Sequence, residues 1–126
     1  MKSSMLMGVA IASALVVCGR ASAADGDVEA GKAVYNATCK ACHGGGALAP
    51  TLRGVGGRKI ASIAEFPGYS TALKAKADQT WTAGSLDAFL KSPPAFAPGT
   101  HMIMATPDDT IRANLVAYLL SLKPPS

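Results

Sequence analysis

The sequence predicts an all-α domain with long loops, and three observations support this fold class. No segment alternates apolar and polar residues as a half-buried strand does. Glycine and proline are concentrated in the connecting segments, where they favour loops. Apolar residues recur at helical spacing near the end of the chain. This stripe consists of Ile111, Leu115, Tyr118, Leu119 and Leu122.

Signals for helix starts and ends divide the chain further. Thr106 is the predicted N-cap of the last helix, with Pro107 at its first position. The first helix begins with an aspartate, either Asp25 or Asp27, as its cap. Two segments, Gly44–Gly57 and Ala95–Thr106, have loop composition. The first helix is predicted at about Asp27–Thr38, and two short helices at about Ser70–Ala77 and Ser85–Lys91.

Residues 1–23 have the pattern of a secretory signal peptide. Lys2 gives a positive start, an apolar run follows, and Ala21-Ser22-Ala23 offers small residues for cleavage. The alternatives are an uncleaved anchor and lipid attachment at Cys18. We expect export to the bacterial periplasm and a single mature domain over residues 24–126.

Charge and composition exclude some partners. The formal net charge of +4 falls to +2 once Lys2 and Arg20 leave with the signal peptide. No basic run is interleaved with aromatic residues, so nothing indicates nucleic-acid binding. We expect a monomer with no stable membrane insertion after cleavage.

The segment Cys39-Lys40-Ala41-Cys42-His43 is the most informative stretch, because C-x-x-C-H is the attachment pattern of a c-type haem. Each thiol can form a thioether to one vinyl group of a porphyrin, and the adjacent imidazole can then bind the iron. Three alternatives use the same residues: a redox dithiol, half of a zinc site, and a simple disulfide.

A haem held by His43 needs a second axial ligand if it is to carry electrons without binding small molecules. Methionine is a usual choice in electron-transfer cytochromes. After the signal peptide the chain offers Met102 and Met104, both in the loop before the last helix, and His101 is the rival ligand. Spacing alone favours Met102 only weakly.

Several segments carry a resemblance to a known family, and together they cover essentially the whole mature sequence. They are Gly26–Lys32 with Tyr35, Cys39–His43, Ala49–Lys59, Tyr69–Lys74, Thr80–Thr82, Pro98–Met102 and Leu115–Leu119. On these motifs the chain resembles the class I c-type cytochromes, monohaem proteins of the mitochondrial-like bacterial type. The resemblance implies the small cytochrome c fold, in which N- and C-terminal helices cross at Gly31 and Tyr118 around one covalent haem.

The same resemblance implies a set of site residues. One haem c would be attached through Cys39 and Cys42, with His43 and Met102 as its metal ligands. Pro50 would accept a hydrogen bond from the His43 ring through its carbonyl. The implied propionate contacts are Arg58, Tyr69, Trp81 and Thr100. For Tyr69 and Trp81 the alternative is ordinary aromatic core.

The function implied by the resemblance is periplasmic one-electron transfer, without enzymatic activity. The expected partners are redox proteins, either membrane respiratory complexes or a periplasmic dehydrogenase. His101 and Thr38 stand where strongly basic members of the family carry lysine, so electrostatic steering toward an acidic partner should be weak. The alternative is a haem enzyme or gas-binding sensor, peroxidase-like, with an open or weakly held sixth site.

Overall fold

The computed structural model describes residues 25–126, and the predicted signal peptide with Cys18 lies outside these residues. Six α-helical segments and one π-helical segment follow in order. They are α1 (Val28–Val34), a π-helix (Tyr35–Cys39), α2 (Lys40–His43), α3 (Thr71–Lys74), α4 (Ala83–Lys91), α5 (Pro93–Phe96) and α6 (Asp109–Ser121).

Residues 25–126 contain no strand, and one isolated antiparallel bridge joins Lys59 and Thr80. The predicted all-α class is therefore confirmed. No helix in this part of the chain is both long and apolar enough to span a bilayer.

The N-terminal helical stretch is longer than the sequence predicted. Asp27 caps α1, its carboxylate accepting a hydrogen bond from the Ala30 amide at 3.0 Å. The predicted end at Thr38 is wrong, because the helical backbone passes through a π-helical turn and continues to His43. No glycine or proline lies between Gly31 and Gly44, so the backbone has no local reason to stop at Thr38.

The two middle helices begin where hydroxyl side chains cap them. Ser70 accepts from the Leu73 amide at the start of α3. At α4, Thr82 and Ser85 form a reciprocal capping box, so the helix begins two residues before the predicted Ser85. The prediction extended the first of these helices to Ala77, whereas α3 ends at Lys74.

A short helix, α5, follows α4 over Pro93–Phe96. It overlaps the first two residues of the segment Ala95–Thr106, which was predicted to be a loop. Pro93 occupies the first position of α5, where its missing N–H has no cost and its fixed φ favours a helical turn. The turn ends at Phe96, before the loop from Ala97 to Asp108 that precedes α6.

The last helix begins later than predicted. Asp108, rather than Thr106, is the N-cap, and its carboxylate accepts from the Ile111 amide at 2.9 Å. The predicted apolar stripe is wrong at Ile111, which lies in the first turn of α6 and is 45% exposed. Leu115 and Leu119 are buried as predicted, with Val116 beside them.

Helices α1 and α6 cross as the resemblance implied. Gly31 is buried at the crossing, and a Cβ atom there would lie only 2.8 Å from Cβ of Tyr118 and still closer to the backbone carbonyl of Asn114. The rings of Tyr35 and Tyr118 pack beside it with their centroids 5.3 Å apart. The Asp27 amide donates to Oδ1 of Asn114 at 2.8 Å, which ties the start of α1 to the middle of α6.

One backbone position carries a measurable strain. Ala61 has a φ of 55°, in the left-handed region where a Cβ atom costs about 1–2 kcal/mol. Ala61→Gly should therefore raise the free energy of unfolding by up to about 1 kcal/mol, after allowing for glycine's larger unfolded-state entropy. Chemical denaturation of the holoprotein measures this change.

The matched control is Ala64→Gly in the same loop, where φ is not positive. That variant should lose about 0.5 kcal/mol through backbone entropy alone. Equal effects of the two substitutions would contradict the strain at Ala61.

Candidate haem site

All of the predicted site residues line one cavity with a volume of about 300 Å³. They come from the end of the N-terminal helical stretch, the loops on either side of α3, and the loop before α6. The set comprises Cys39, Cys42, His43, Pro50, Arg58, Tyr69, Trp81, Thr100 and Met102.

The helical stretch aligns the motif residues along one side. Cys42 is three residues after Cys39 and His43 is four, and residues at these spacings lie on the same face of a helix. Cys39 is half-buried and Cys42 is exposed, and no disulfide joins the two sulfurs. Burial raises the pKa of Cys39, a change that the Thr38 hydroxyl 3.4 Å from its sulfur opposes.

His43 is oriented by the carbonyl of Pro50, 2.8 Å from its Nδ1. A carbonyl can only accept, so Nδ1 carries the proton and the neutral ring keeps a lone pair on Nε2. Burial lowers the pKa of His43, the bond to Pro50 opposes that change, and the charge of Arg58 adds to it. The neutral ring is the form that binds a metal.

The loop between α5 and α6 presents three possible axial ligands to the cavity. Met102 is half-buried and packs against the hydrophobic core, whereas His101 is exposed and Met104 is 54% exposed. The Met102 amide donates to the Thr100 hydroxyl at 3.4 Å, just after a glycine, Gly99, with a φ of 83°. Burial therefore distinguishes Met102 from its two neighbours.

Arg58 brings an unpaired donor to the cavity. Its Nε is buried and has no hydrogen-bond partner within the protein, while Nη1 donates to the carbonyl of Arg53 at 3.2 Å. Buried polar groups normally have partners, so an unpaired guanidinium N–H suits an anionic ligand. Burial lowers the pKa of Arg58, and the nearby Tyr69 opposes that change.

The two aromatic candidates differ in their surroundings. Tyr69 packs edge-on against Phe66, and its hydroxyl accepts from the Ile63 amide at 3.3 Å. Trp81 is 8% exposed and stacks on Phe96. The indole is therefore part of the aromatic core and also part of the cavity wall.

Sequence reasoning did not identify the apolar wall of the cavity. Three of its members, Leu86, Phe89 and Leu90, have helical spacing on α4 and could have been found from that periodicity. The others come from loops or from helices that meet only in the folded chain. They include Leu52, Val55, Leu73 and Leu119.

These residues fit a haem. Two thiols can form thioethers, and haem proteins use imidazoles and thioethers as axial ligands, the groups that His43 and Met102 carry into this cavity. The unpaired Nε of Arg58 suits a propionate. Within residues 25–126, no three His, Cys, Asp or Glu side chains are grouped as a bare metal ion would need. The largely apolar wall suits a porphyrin.

Comparison with known proteins gives consistent results. The family model described as "Cytochrome C oxidase, cbb3-type, subunit III" matches residues 26–119. Cytochrome c-554 of Methylosinus trichosporium is 41% identical over 125 residues, covering 94% of this chain and 92% of that protein.

Two further proteins are similar. The cytochrome c-type cyt cy of Rhodobacter capsulatus is 46% identical over 101 residues, covering 77% of this chain but only 50% of that longer protein. The solved structure of cytochrome cH from Methylobacterium extorquens superposes with a TM-score of 0.66 at 35% identity, covering 75% of this chain and 97% of the other.

The cavity, the C-x-x-C-H motif and the similar proteins all indicate the same protein family. The relatives are c-type cytochromes, which carry electrons on a covalent haem c, and Cys39 and Cys42 have the spacing for that attachment. The solved relative has the small fold that the resemblance implied. The chain therefore belongs to the cytochrome c family.

Proposed function

We propose that this protein is a periplasmic one-electron carrier whose haem iron is held by His43 and Met102, and that it is not an enzyme. The observation that carries the proposal is the cavity that His43 and the half-buried Met102 both line. When bound, the haem supplies reversible one-electron oxidation and reduction of its iron.

The chain's own residues adapt the site to this task. The bond from His43 to Pro50 holds the ring in one orientation and raises its basicity as a ligand. The apolar wall, including Leu86 and Phe89, lowers the local dielectric and so disfavours the extra charge of the oxidised state. Attachment through Cys39 and Cys42 prevents loss of the cofactor outside the cytoplasm.

The packing of Met102 supports a closed site over the open site of a peroxidase or gas sensor. Met102 packs against the core beside the cavity, where it can occupy a sixth coordination position. A haem held by His43 and Met102 would have no open position at which a substrate could bind.

The proposal also includes the location of the protein and the class of its partners. The signal-like pattern of residues 1–23 supports delivery to the periplasm. The partners are redox proteins, either membrane respiratory complexes or a periplasmic dehydrogenase. With a net charge of only +2 before the haem propionates are counted, electron transfer should depend weakly on ionic strength.

Carbon monoxide distinguishes the closed site from an open one. The absorption spectrum of the purified ferrous protein should not change when carbon monoxide is added, because Met102 already occupies the sixth position. The positive control is the same protein in denaturant, where the methionine loop is unfolded and the Soret band should shift. A shift in the native protein would move the assignment to an enzyme or sensor.

A further inference from the structure

Among residues 25–126, Arg112 is the one charged residue that is buried, with 4% of its surface exposed. A buried charge is costly unless it is paired and hydrogen-bonded. The guanidinium lies in the first turn of α6, and Nε donates to Oδ1 of Asp87 on α4 at 2.6 Å. Nη2 donates to Oδ1 of Asp109 at 2.5 Å. These two ion pairs compensate the charge.

The third nitrogen makes a different kind of contact. Nη1 of Arg112 donates to the backbone carbonyls of Thr106 and Pro107, both at 3.0 Å. Those two residues are the end of the loop that carries Met102. The Thr106 amide also donates to the carbonyl of Leu90 on α4 at 2.7 Å. The end of the loop is therefore tied to α4 and α6 together.

The start of the same loop is fixed by other bonds. The Ala97 amide donates to the Pro93 carbonyl at 2.9 Å, and the Thr100 amide to the Ala97 carbonyl at 3.0 Å. Between these anchors, Ile103, Met104 and Ala105 take part in none of the hydrogen bonds found among residues 25–126. Met102 itself is held by the bond to Thr100 and by packing against the core, and on its C-terminal side the nearest hydrogen-bonded anchor is the loop end at Thr106 and Pro107.

We propose that Arg112 is a positioning residue for Met102, because its guanidinium fixes the C-terminal end of the methionine loop. The inference rests on the proposed function, in which Met102 is an axial ligand. The planar guanidinium has five donors and bonds four acceptors at once, Asp87, Asp109 and the two carbonyls, whereas an ammonium has only three donors. Loss of these bonds lets the loop end move and increases the rate at which the Met102 sulfur leaves the iron.

The test measures that rate in the ferric holoprotein. Imidazole can bind only after the methionine leaves, so the observed rate reaches a plateau at saturating imidazole that equals the methionine dissociation rate. Arg112→Lys should raise the plateau by about tenfold, the loss expected from one charge-assisted hydrogen bond. The unfolding free energy of each variant is measured in parallel by chemical denaturation.

The matched control is Asn114→Ala on the same helix. It removes the bond from the Asp27 amide to Asn114 and so weakens the fold, and the Asn114 side chain makes none of the hydrogen bonds that fix the ends of the methionine loop. Its plateau rate should remain within about twofold of the unsubstituted protein, since no contact to the loop is lost. If both variants raise the rate in proportion to their lost stability, or if Arg112→Lys leaves it unchanged, Arg112 only stabilises the fold.

Two further outcomes remain decisive. Where Arg112→Lys does not fold, Asp87→Asn weakens the hold on the guanidinium and should raise the plateau about threefold, and an unchanged rate overturns the proposal. A rate that rises linearly with imidazole in the unsubstituted protein means that no ligand is displaced. That result overturns the Met102 assignment itself, whereas a plateau unaffected by Arg112 overturns only the positioning role.

Discussion

Gly31→Ala should lower the free energy of unfolding by at least about 3 kcal/mol, the upper range for overpacking a well-packed interior. A Cβ at this position meets the backbone carbonyl of Asn114 at less than van der Waals separation and Cβ of Tyr118 at 2.8 Å. Neither obstacle is the flexible end of a side chain, so α1 and α6 must move apart. Guanidinium denaturation of the holoprotein, followed by far-ultraviolet circular dichroism, measures the loss.

Gly84→Ala is the matched control. Gly84 lies in the first turn of α4, is exposed, and a Cβ there would meet nothing closer than the Thr82 hydroxyl at 3.8 Å. Because alanine has the higher helix propensity, this variant should gain up to about 1 kcal/mol. A loss at Gly31 no larger than an ordinary surface substitution would contradict the close approach of the two helices.

Met102→Ala should lower the midpoint potential by on the order of 0.1 V, within the roughly 0.8 V range that axial ligands span. Methionine stabilises the ferrous state relative to harder ligands, and its removal also leaves an open sixth position. The variant should therefore bind carbon monoxide and reduce peroxide. Redox titration followed by absorption, with a peroxidase assay on the same sample, measures both effects.

Met104→Ala tests the rival sulfur in the same loop. Met104 is 54% exposed and lines the cavity two residues further along. Its removal should leave the potential and the carbon monoxide response unchanged, and His101→Ala should do the same. An unchanged potential in Met102→Ala, or a fall in either comparison variant, would reassign the sixth ligand.

Much of the local structure could be predicted from the sequence because its causes lie within a few residues. Asp27 and Ser70 are close to helix starts in the sequence and cap them in the fold. The spacing from Cys39 to His43 needs only one helical turn to align three side chains. The carbonyl of Pro50, seven residues after His43, is reached within one loop.

The predicted helix boundaries were wrong where contacts with distant segments outweighed the local sequence signals. Thr106 and Pro107 have the residue types of a helix start, yet α6 begins after Asp108. The carbonyls of both residues accept from the buried Arg112, so they serve as the anchored end of a loop. No residue near Thr106 in the sequence indicates that Leu90 will bind its amide.

By itself, the sequence determined the helical class, the attachment motif and the set of side chains available to a haem, since these depend on residue type and short spacing. Only the tertiary structure decided that Arg112 is buried against Asp87 and that Met102, not Met104, packs against the core. It also decided that Gly31 lies against Asn114. These outcomes depend on contacts between segments distant in the chain, whose geometry is determined only when the helices pack around the cavity.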